Sequence, residues 1–201
     1  IQFGRVEDLD YRKGGGAASR EIYFAVTGLK NATGKSMWGR MYQLVMDAGN
    51  PLKGKLTPVA DGASNPGQDL INPDNICATE NFVYIQEDGD SYYAGASHDS
   101  YVWQYNIATG QYKPFISTHQ RRDDAQFNSA TGYNQTGNNR LGSWEFGAMH
   151  DVSGEIGVEG VFLLNIHSHT WRDNKFLNAD GTTITNSNEG GQVVILKGVP
   201  R

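Results

Sequence analysis

The feature that most constrains this fold is a pattern of short apolar runs, punctuated by Gly, Asp and Asn, which occurs three times along the chain. Each unit opens with an acidic stretch: RVEDLDY, then NPDNICA, then GSWEFGAMHD. The apolar runs cover 21–28 and 40–46, then 81–88 and 101–107, then 160–169 and 191–198. Runs of this length between turn residues are typical of β-strands. The sequence therefore predicts an all-β fold.

Helical periodicity is nearly absent. The stretch from Trp38 to Met46 is a moderate helix candidate, but its Gly39 and Val45 suit a strand at least as well. A repeat of a few strands at a period of about 67 residues suggests the blades of a β-propeller. We therefore expect one partial propeller domain with units at 1–65, 66–140 and 141–201.

Three blades cannot close a ring, which leaves three possibilities. Neighbouring sequence is missing, another chain completes the ring, or the units form an open sandwich instead. The chain starts at Ile1 with no initiator Met and no signal-peptide pattern, so we expect a processed product or a piece of something longer.

Composition excludes several classes of protein. The net charge of the 201 residues is −5 and there is no basic block, so the electrostatic footprint of a nucleic-acid binder is missing. No apolar run approaches the roughly 18 residues that a membrane helix needs. Cys77 is the single cysteine, so an internal disulfide is impossible, and a small buried thiol is the favoured interpretation.

Three acids in equivalent positions suggest a metal site. Glu7, Asp74 and Glu145 each stand in the opener of one unit, and the innermost strand of a propeller blade lines the central channel. Converging carboxylates repel each other and lose solvation, so they persist only with a cation or protons between them. Carboxylate oxygens suit Ca²⁺, and carboxylates with imidazole also admit iron or manganese. The alternative is ordinary turn and capping chemistry at strand ends.

Two histidines are further candidates. His167 and His169 alternate along the run at 160–169, so on a strand both would face the same side. A same-face pair two residues apart can chelate a transition metal, and the alternative is a surface pair of polar residues. The sequence contains no Gly-x-Ser-x-Gly elbow, no complete phosphate-binding Gly-x-x-x-x-Gly-Lys-Ser/Thr loop and no His-Glu-x-x-His motif, so we name no nucleophile.

The motifs in their order resemble those of the PhoX-type alkaline phosphatases. GRVEDLDY, IYFAVTG and GRMYQL are similar to an Arg-Pro-Glu opener and the two strands after it. NPDNICATENFVYIQED is similar to a PDN opener with a strand that ends in Glu-Asp, and SWEFGAMHD with GVFLLNIHSH is similar to the last opener and strand. The resemblance spans nearly the whole chain.

The resemblance implies a six-bladed propeller, exported to the periplasm or beyond, of which this chain is the C-terminal half. It implies that calcium and iron (Ca²⁺ and Fe³⁺) at the axis serve the hydrolysis of phosphate esters. The acidic and amide positions that match are Glu7, Asp74, Asn75, Glu87, Asp88 and Glu145. Glu7 and Glu145 are the first choices as metal ligands and Asp74 the next, whereas Glu87 and Asp88 are ligands or supports for ligands.

The sequence departs from the family pattern in places. Val6 replaces the usual proline before Glu7, and His167 stands at a position where the family has Gln. The family's cysteine ligand lies in the N-terminal half, so Cys77 does not inherit that role.

We therefore expect a metal-dependent phosphoric-ester hydrolase. Its partners would be a phosphate-ester substrate and a second chain or N-terminal fragment that completes the propeller. The alternative is a non-catalytic propeller, stabilised by calcium, that serves as a structural or binding protein.

Overall fold

The fold is all-β and consists of three antiparallel sheets. The computed structural model describes residues 2–29, 36–66, 68–89, 96–119, 144–172 and 189–201, of which 169–172 and 189 are described by their backbone alone. Within these ranges, helical structure is limited to a short 3₁₀-helix (Ala18–Arg20) and a four-residue α-helix (Ser153–Ile156). In this described part of the chain, no helix has the length and apolar character needed to span a membrane.

Each sheet is a simple meander in chain order. The first sheet contains β1 (Val6–Tyr11), β2 (Glu21–Val26), β3 (Arg40–Met46) and β4 (Gly54–Asp61). The middle sheet contains β5 (Pro73–Ala78), β6 (Phe82–Glu87), β7 (Tyr101–Asn106) and β8 (Tyr112–Ser117). The last sheet contains β9 (Glu145–Asp151), β10 (Val161–Arg172) and β11 (Glu189–Lys197).

The predicted all-β class is confirmed, and each of the six apolar runs forms a strand. The three acidic openers form β1, β5 and β9, the first strand of each sheet. Each sheet lies inside one of the three predicted units, whereas their membership of a propeller stays a prediction. The stretch Trp38–Met46 forms strand β3 and not a helix.

The outermost strands β4 and β8 have no counterpart among the predicted runs. Each contains a proline, Pro58 in β4 and Pro114 in β8, and a register irregularity lies beside each proline. Proline lacks a backbone N–H, so it is tolerated on a sheet edge but breaks the apolar alternation that signals a strand. A proline beside a register irregularity therefore occurs in the last strand of both four-stranded sheets, which are built alike in this respect.

The middle sheet is buried on both faces. One face packs against Tyr23, Ala25 and Met41 of the first sheet, with Val83, Ile85 and Trp103 among the residues that it contributes. The other face contributes Cys77, Tyr84 and Val102 to a second core, in which the last sheet supplies Phe146, Met149, Phe162 and Leu164. The three sheets therefore stack face to face, with the middle sheet between the other two.

The first strands of the sheets lie next to each other. Strand β5 contacts β1 and β2, and β9 contacts β5 and β6. Asp8 and Asp10 of β1 accept hydrogen bonds from the backbone N–H groups of Ile76 (3.0 Å) and Ala78 (2.9 Å). These carboxylates satisfy outward-facing donors on the edge of β5, which would otherwise lack protein partners.

Core packing joins β5 to β9, since Cys77 of β5 lies in the same core as Phe146 and Met149 of β9. Cys77 is buried, and burial raises the pKa of its thiol to about 12, with a smaller contribution from the charge of Asp10. The favoured interpretation of Cys77 as a small buried thiol therefore agrees with the structure.

The carboxylate of Asp10 should matter for stability because it links two sheets. We expect Asp10→Ala to lower the free energy of unfolding by about 1–3 kcal/mol, since it leaves the Ala78 N–H without its acceptor. Asp10→Asn keeps one acceptor oxygen and should cost less. Urea unfolding of both variants measures the difference, and an Asp10→Ala variant as stable as the parent chain would contradict this account.

Candidate functional site

The three acids predicted to converge stand on first strands that adjoin, since β1 contacts β5 and β5 contacts β9. Glu7 lies on β1, Asp74 on β5 and Glu145 on β9, each at the beginning of its strand. Burial raises the pKa of Asp74, and the negative charges of Glu7 and then Glu145 raise it further. Each of the two glutamates is therefore close enough to Asp74 to disfavour its ionisation. We call Glu7, Asp74 and Glu145 the acidic cluster.

Arg5 places a positive charge beside this cluster. Its Nε lies 3.3 Å from Oε1 of Glu7, and its charge lowers the pKa of Asp74 against the larger effects that raise it. The backbone of Arg5 has φ of 60°, a conformation that is uncommon for residues other than glycine. The sequence reasoning did not select Arg5, although its position two residues before Glu7 was available as a signal.

Two neighbouring side chains hold the carboxylate of Asp74. The Asn75 Nδ2 donates to Oδ2 of Asp74 at 3.0 Å, and the Thr27 hydroxyl contacts Oδ1 at 3.4 Å. The same hydroxyl donates to the carbonyl of Pro73 at 2.9 Å. Asn75, which the sequence predicted as a site residue, therefore donates to the cluster through its amide nitrogen.

His167 lies beside Glu145 on paired strands. Its Nδ1 is 3.8 Å from Oε1 of Glu145, and the amide nitrogen of Asn165 is 2.9 Å from its Nε2. The contact with Asn165 thus holds the ring of His167 beside Glu145. The ring also lies close to Gly147, where a Cβ would be 2.8 Å from Nε2. The side chain of His169 lies outside the described residues.

Glu87 has a different environment from the acidic cluster. It is fully buried and accepts three hydrogen bonds: from the N–H groups of Ile71 (2.6 Å) and Tyr101 (2.8 Å) and from the indole of Trp103 (2.6 Å). The ring of His98, with Nδ1 3.8 Å from Glu87 Oε2, stacks on Tyr101. Burial raises the pKa of Glu87 to about 8, against these hydrogen bonds, which lower it. The contacts favour a supporting role over metal ligation.

Asp88 is placed by its backbone next to Asn72. The Asp88 N–H donates to the carbonyl of Asn72 at 3.0 Å. Asn72 is fully buried with φ of 45°, and its side-chain amide donates to the carbonyls of Thr27 (3.0 Å) and Met37 (3.3 Å). Asn72 therefore links the beginning of β5 to the first sheet and fixes the position of Asp74 two residues later.

The described side chains do not form a ready ligand set for a metal ion. Among the described residues, no group of three or more His, Cys, Asp or Glu side chains is arranged so that it could hold a metal ion as it stands. The acidic cluster is thus electrostatically coupled without being a formed ligand set.

Comparisons with known proteins give no match. The chain matches no protein-family model, no curated protein and no solved structure. The resemblance to the PhoX-type alkaline phosphatases therefore stays a hypothesis that depends on the motifs alone.

The buried carboxylate of Glu87 should be a major determinant of stability. We expect Glu87→Ala to lower the free energy of unfolding by at least about 3 kcal/mol, because three buried donors lose their acceptor. Urea unfolding at pH 6 measures this loss. Exposed Glu155→Ala is the control and should change little, and equal stabilities of the two variants would contradict the assignment.

The stability should also depend on pH through Glu87. Its native pKa, about 8, lies above the ordinary value of 4.5, so the native state binds more protons than the unfolded state between these values. The free energy of unfolding of the parent chain, measured relative to that of the Glu87→Gln variant, should therefore fall as the pH rises from about 5 to about 8. A relative stability that does not change between pH 5 and pH 8 would show instead that the native carboxylate is ionised over that whole range.

Proposed function

We propose that this chain is part of a β-propeller that hydrolyses phosphoric esters with metal ions held by the acidic cluster. The observation that carries the proposal is that Glu7, Asp74 and Glu145 stand at the beginnings of three first strands that adjoin, and that the pKa of Asp74 is raised by burial and by the charges of the two glutamates. Three carboxylates from three separate sheets gain nothing from each other, since like charges disfavour ionisation. A bound cation would reverse that cost, which supports a metal site at this place.

The chemistry of the residues fits calcium well. Carboxylate oxygens are the ligands that Ca²⁺ prefers, and its flexible coordination tolerates side chains from different elements. Glu7, Asp74 and Glu145 would hold the ion, and Asn75 would fix the orientation of Asp74. For iron, His167 adds an imidazole beside Glu145, and its Nε2 would exchange the Asn165 contact for the metal. The proposal therefore keeps both Ca²⁺ and Fe³⁺.

The reaction needs positive charge around a phosphoryl group. Bound metal ions would supply Lewis-acid stabilisation of the phosphoryl oxygens and lower the pKa of an attacking water. From the chain itself, Arg5 offers a guanidinium whose planar donors match phosphate oxygens. Its contact with Glu7 at 3.3 Å holds it beside the cluster. Arg5 would thus bind and orient the ester.

The proposed propeller is supported by the arrangement of the sheets. Two four-stranded meanders and a three-stranded meander stack face to face, and their first strands adjoin. In a propeller those strands line the axis, which agrees with the acids at their beginnings. A second chain or an N-terminal fragment would supply the remaining blades. The resemblance also implies a periplasmic or extracellular location.

The competing proposal is a calcium-stabilised propeller without catalysis, which serves as a structural or binding protein. The observation in its favour is that the described side chains form no complete ligand set.

Calcium should stabilise the chain through Asp74. With free Ca²⁺ at about 100 times its Kd, we expect a stabilisation of about 2.7 kcal/mol. Asp74→Asn should remove most of it, because the cluster loses a negative charge, whereas Asp47→Asn in the exposed turn after β3 should not. Thermal unfolding with and without Ca²⁺ measures the effect. A gain in stability that is equal in both variants would place the calcium elsewhere.

Hydrolysis of p-nitrophenyl phosphate tests the function itself. We expect turnover that a chelator abolishes and that added Ca²⁺ and Fe³⁺ restore, and Arg5→Gln should raise KM because it removes the guanidinium. Glu145→Ala should lower the metal content of the protein. Calcium-dependent melting without turnover in any of these states would favour the non-catalytic propeller.

A further inference from the structure

The first sheet has an apolar face on the side away from the middle sheet. Residues that pair directly across an antiparallel sheet share a face, and the pairs Leu9–Phe24, Phe24–Tyr42 and Leu44–Leu56 lie on this one. Leu9 is 63% exposed and Tyr11, on the same face, is 52% exposed. Phe3 packs edge-on against Phe24 and Tyr42 and extends the surface. We call this surface the leading face.

The last sheet has an apolar face at the other end of the stack. Leu163 pairs with Ile195, and Asn165 pairs with Val193, on the side opposite to the core residues Phe162 and Leu164. Val193 is 71% exposed and Ile195 is 61% exposed. We call this surface the trailing face. Large apolar side chains exposed in a group are typical of interaction surfaces.

The interior of the chain shows how such faces pack. The middle sheet lies on the first sheet so that β5 contacts β1 and β2, and the last sheet lies on the middle sheet so that β9 contacts β5 and β6. Both interfaces therefore have the same direction, with the first strand of the later sheet against the first two strands of the earlier one. The leading face corresponds to the middle sheet's surface toward the first sheet, and the trailing face to its surface toward the last sheet.

Hydrogen bonds between β1 and β5 follow the same direction. Asp8 and Asp10 on the earlier strand accept the backbone N–H groups of Ile76 and Ala78 on the later strand. In β1 the equivalent N–H of Tyr11 donates to its own neighbour, Asp10 Oδ1, at 2.8 Å. The edge of β1 thus carries the same kind of backbone donor that β5 gives to acceptors on the preceding sheet.

We propose that a second copy of this chain packs its leading face on the trailing face of the first and so continues the stack of sheets. The new interface would repeat the packing of one sheet on the next, which the chain already makes twice internally. Since the two surfaces differ, the contact is head-to-tail, and it closes into a ring if the rotation allows. The association depends on the two faces and not on the metal chemistry of the proposed function.

This association would also enlarge the acidic cluster. Glu7 lies on the first strand of the first sheet and Glu145 on the first strand of the last sheet, so they occupy the two ends of the stack. A second copy would bring its Glu7 to the strand that carries Glu145. The cluster of one chain is therefore an incomplete version of the cluster in the assembly.

The native mass in solution tests the proposal. We expect light scattering across a range of concentrations to give at least twice the 22.1 kDa of one chain. Leu9→Glu on the leading face and Ile195→Glu on the trailing face should each weaken association at least about tenfold, because a charge would be buried without a partner. Leu52→Glu, at a 94% exposed position in the turn between β3 and β4, is the matched control and should associate normally.

Mixing the two variants distinguishes the head-to-tail contact. A Leu9→Glu chain keeps an intact trailing face and an Ile195→Glu chain an intact leading face, so the mixture should regain dimers that neither variant forms alone. Tyr11→Glu and Val193→Glu replace either variant if it fails to fold. A mass of 22.1 kDa at every concentration, or a loss caused by one variant alone, would overturn the proposal. Asp74→Asn should leave the mass unchanged, which separates this test from that of the metal site.

Discussion

The backbone N–H groups on the free edge of β5 are the constraint on which the rest of the structure depends. Asp8 and Asp10 accept two of them, at Ile76 and Ala78, and so hold β1 beside β5. Backbone donors at such an edge need partners, and here side chains supply them because no further strand does. Once the first strands are side by side, the broader parts of the sheets face each other and form the two cores.

The same arrangement explains why the carboxylates of the acidic cluster disfavour each other's ionisation. Strands that adjoin at their beginnings bring the acids found there together, whether or not the acids gain from it. Asp74 shows the result in its raised pKa, which the charge of Arg5 offsets only in part. Glu87, on the strand β6 that pairs with β5, is buried yet accepts three hydrogen bonds. The carboxyl group of Glu87 therefore has partners within the protein, whereas we propose that the acidic cluster needs a cation.

Particular residues show how far the sequence could be read. Strand β3 begins and ends where the apolar run 40–46 predicts, because apolar side chains follow each other there without a turn residue. Strands β4 and β8 could not be found in the same way, since Pro58 and Pro114 interrupt them at the sheet edge. In the site, the positions of Glu7, Asp74 and Glu145 at the beginnings of adjoining strands followed from the repeat. The contact of Arg5 with Glu7 did not, because it depends on an uncommon backbone conformation at Arg5, with φ of 60°.

The sequence by itself determined the all-β class, the three repeating units and the equivalence of the acids at their beginnings, because these depend on local alternation and on spacing along the chain. The tertiary structure alone decided which carboxylates are satisfied and which repel each other. Burial and the approach of groups from different sheets set those energies, and neither is written in the order of the residues. Glu87 and Asp74, thirteen residues apart on paired strands, have opposite surroundings for that reason.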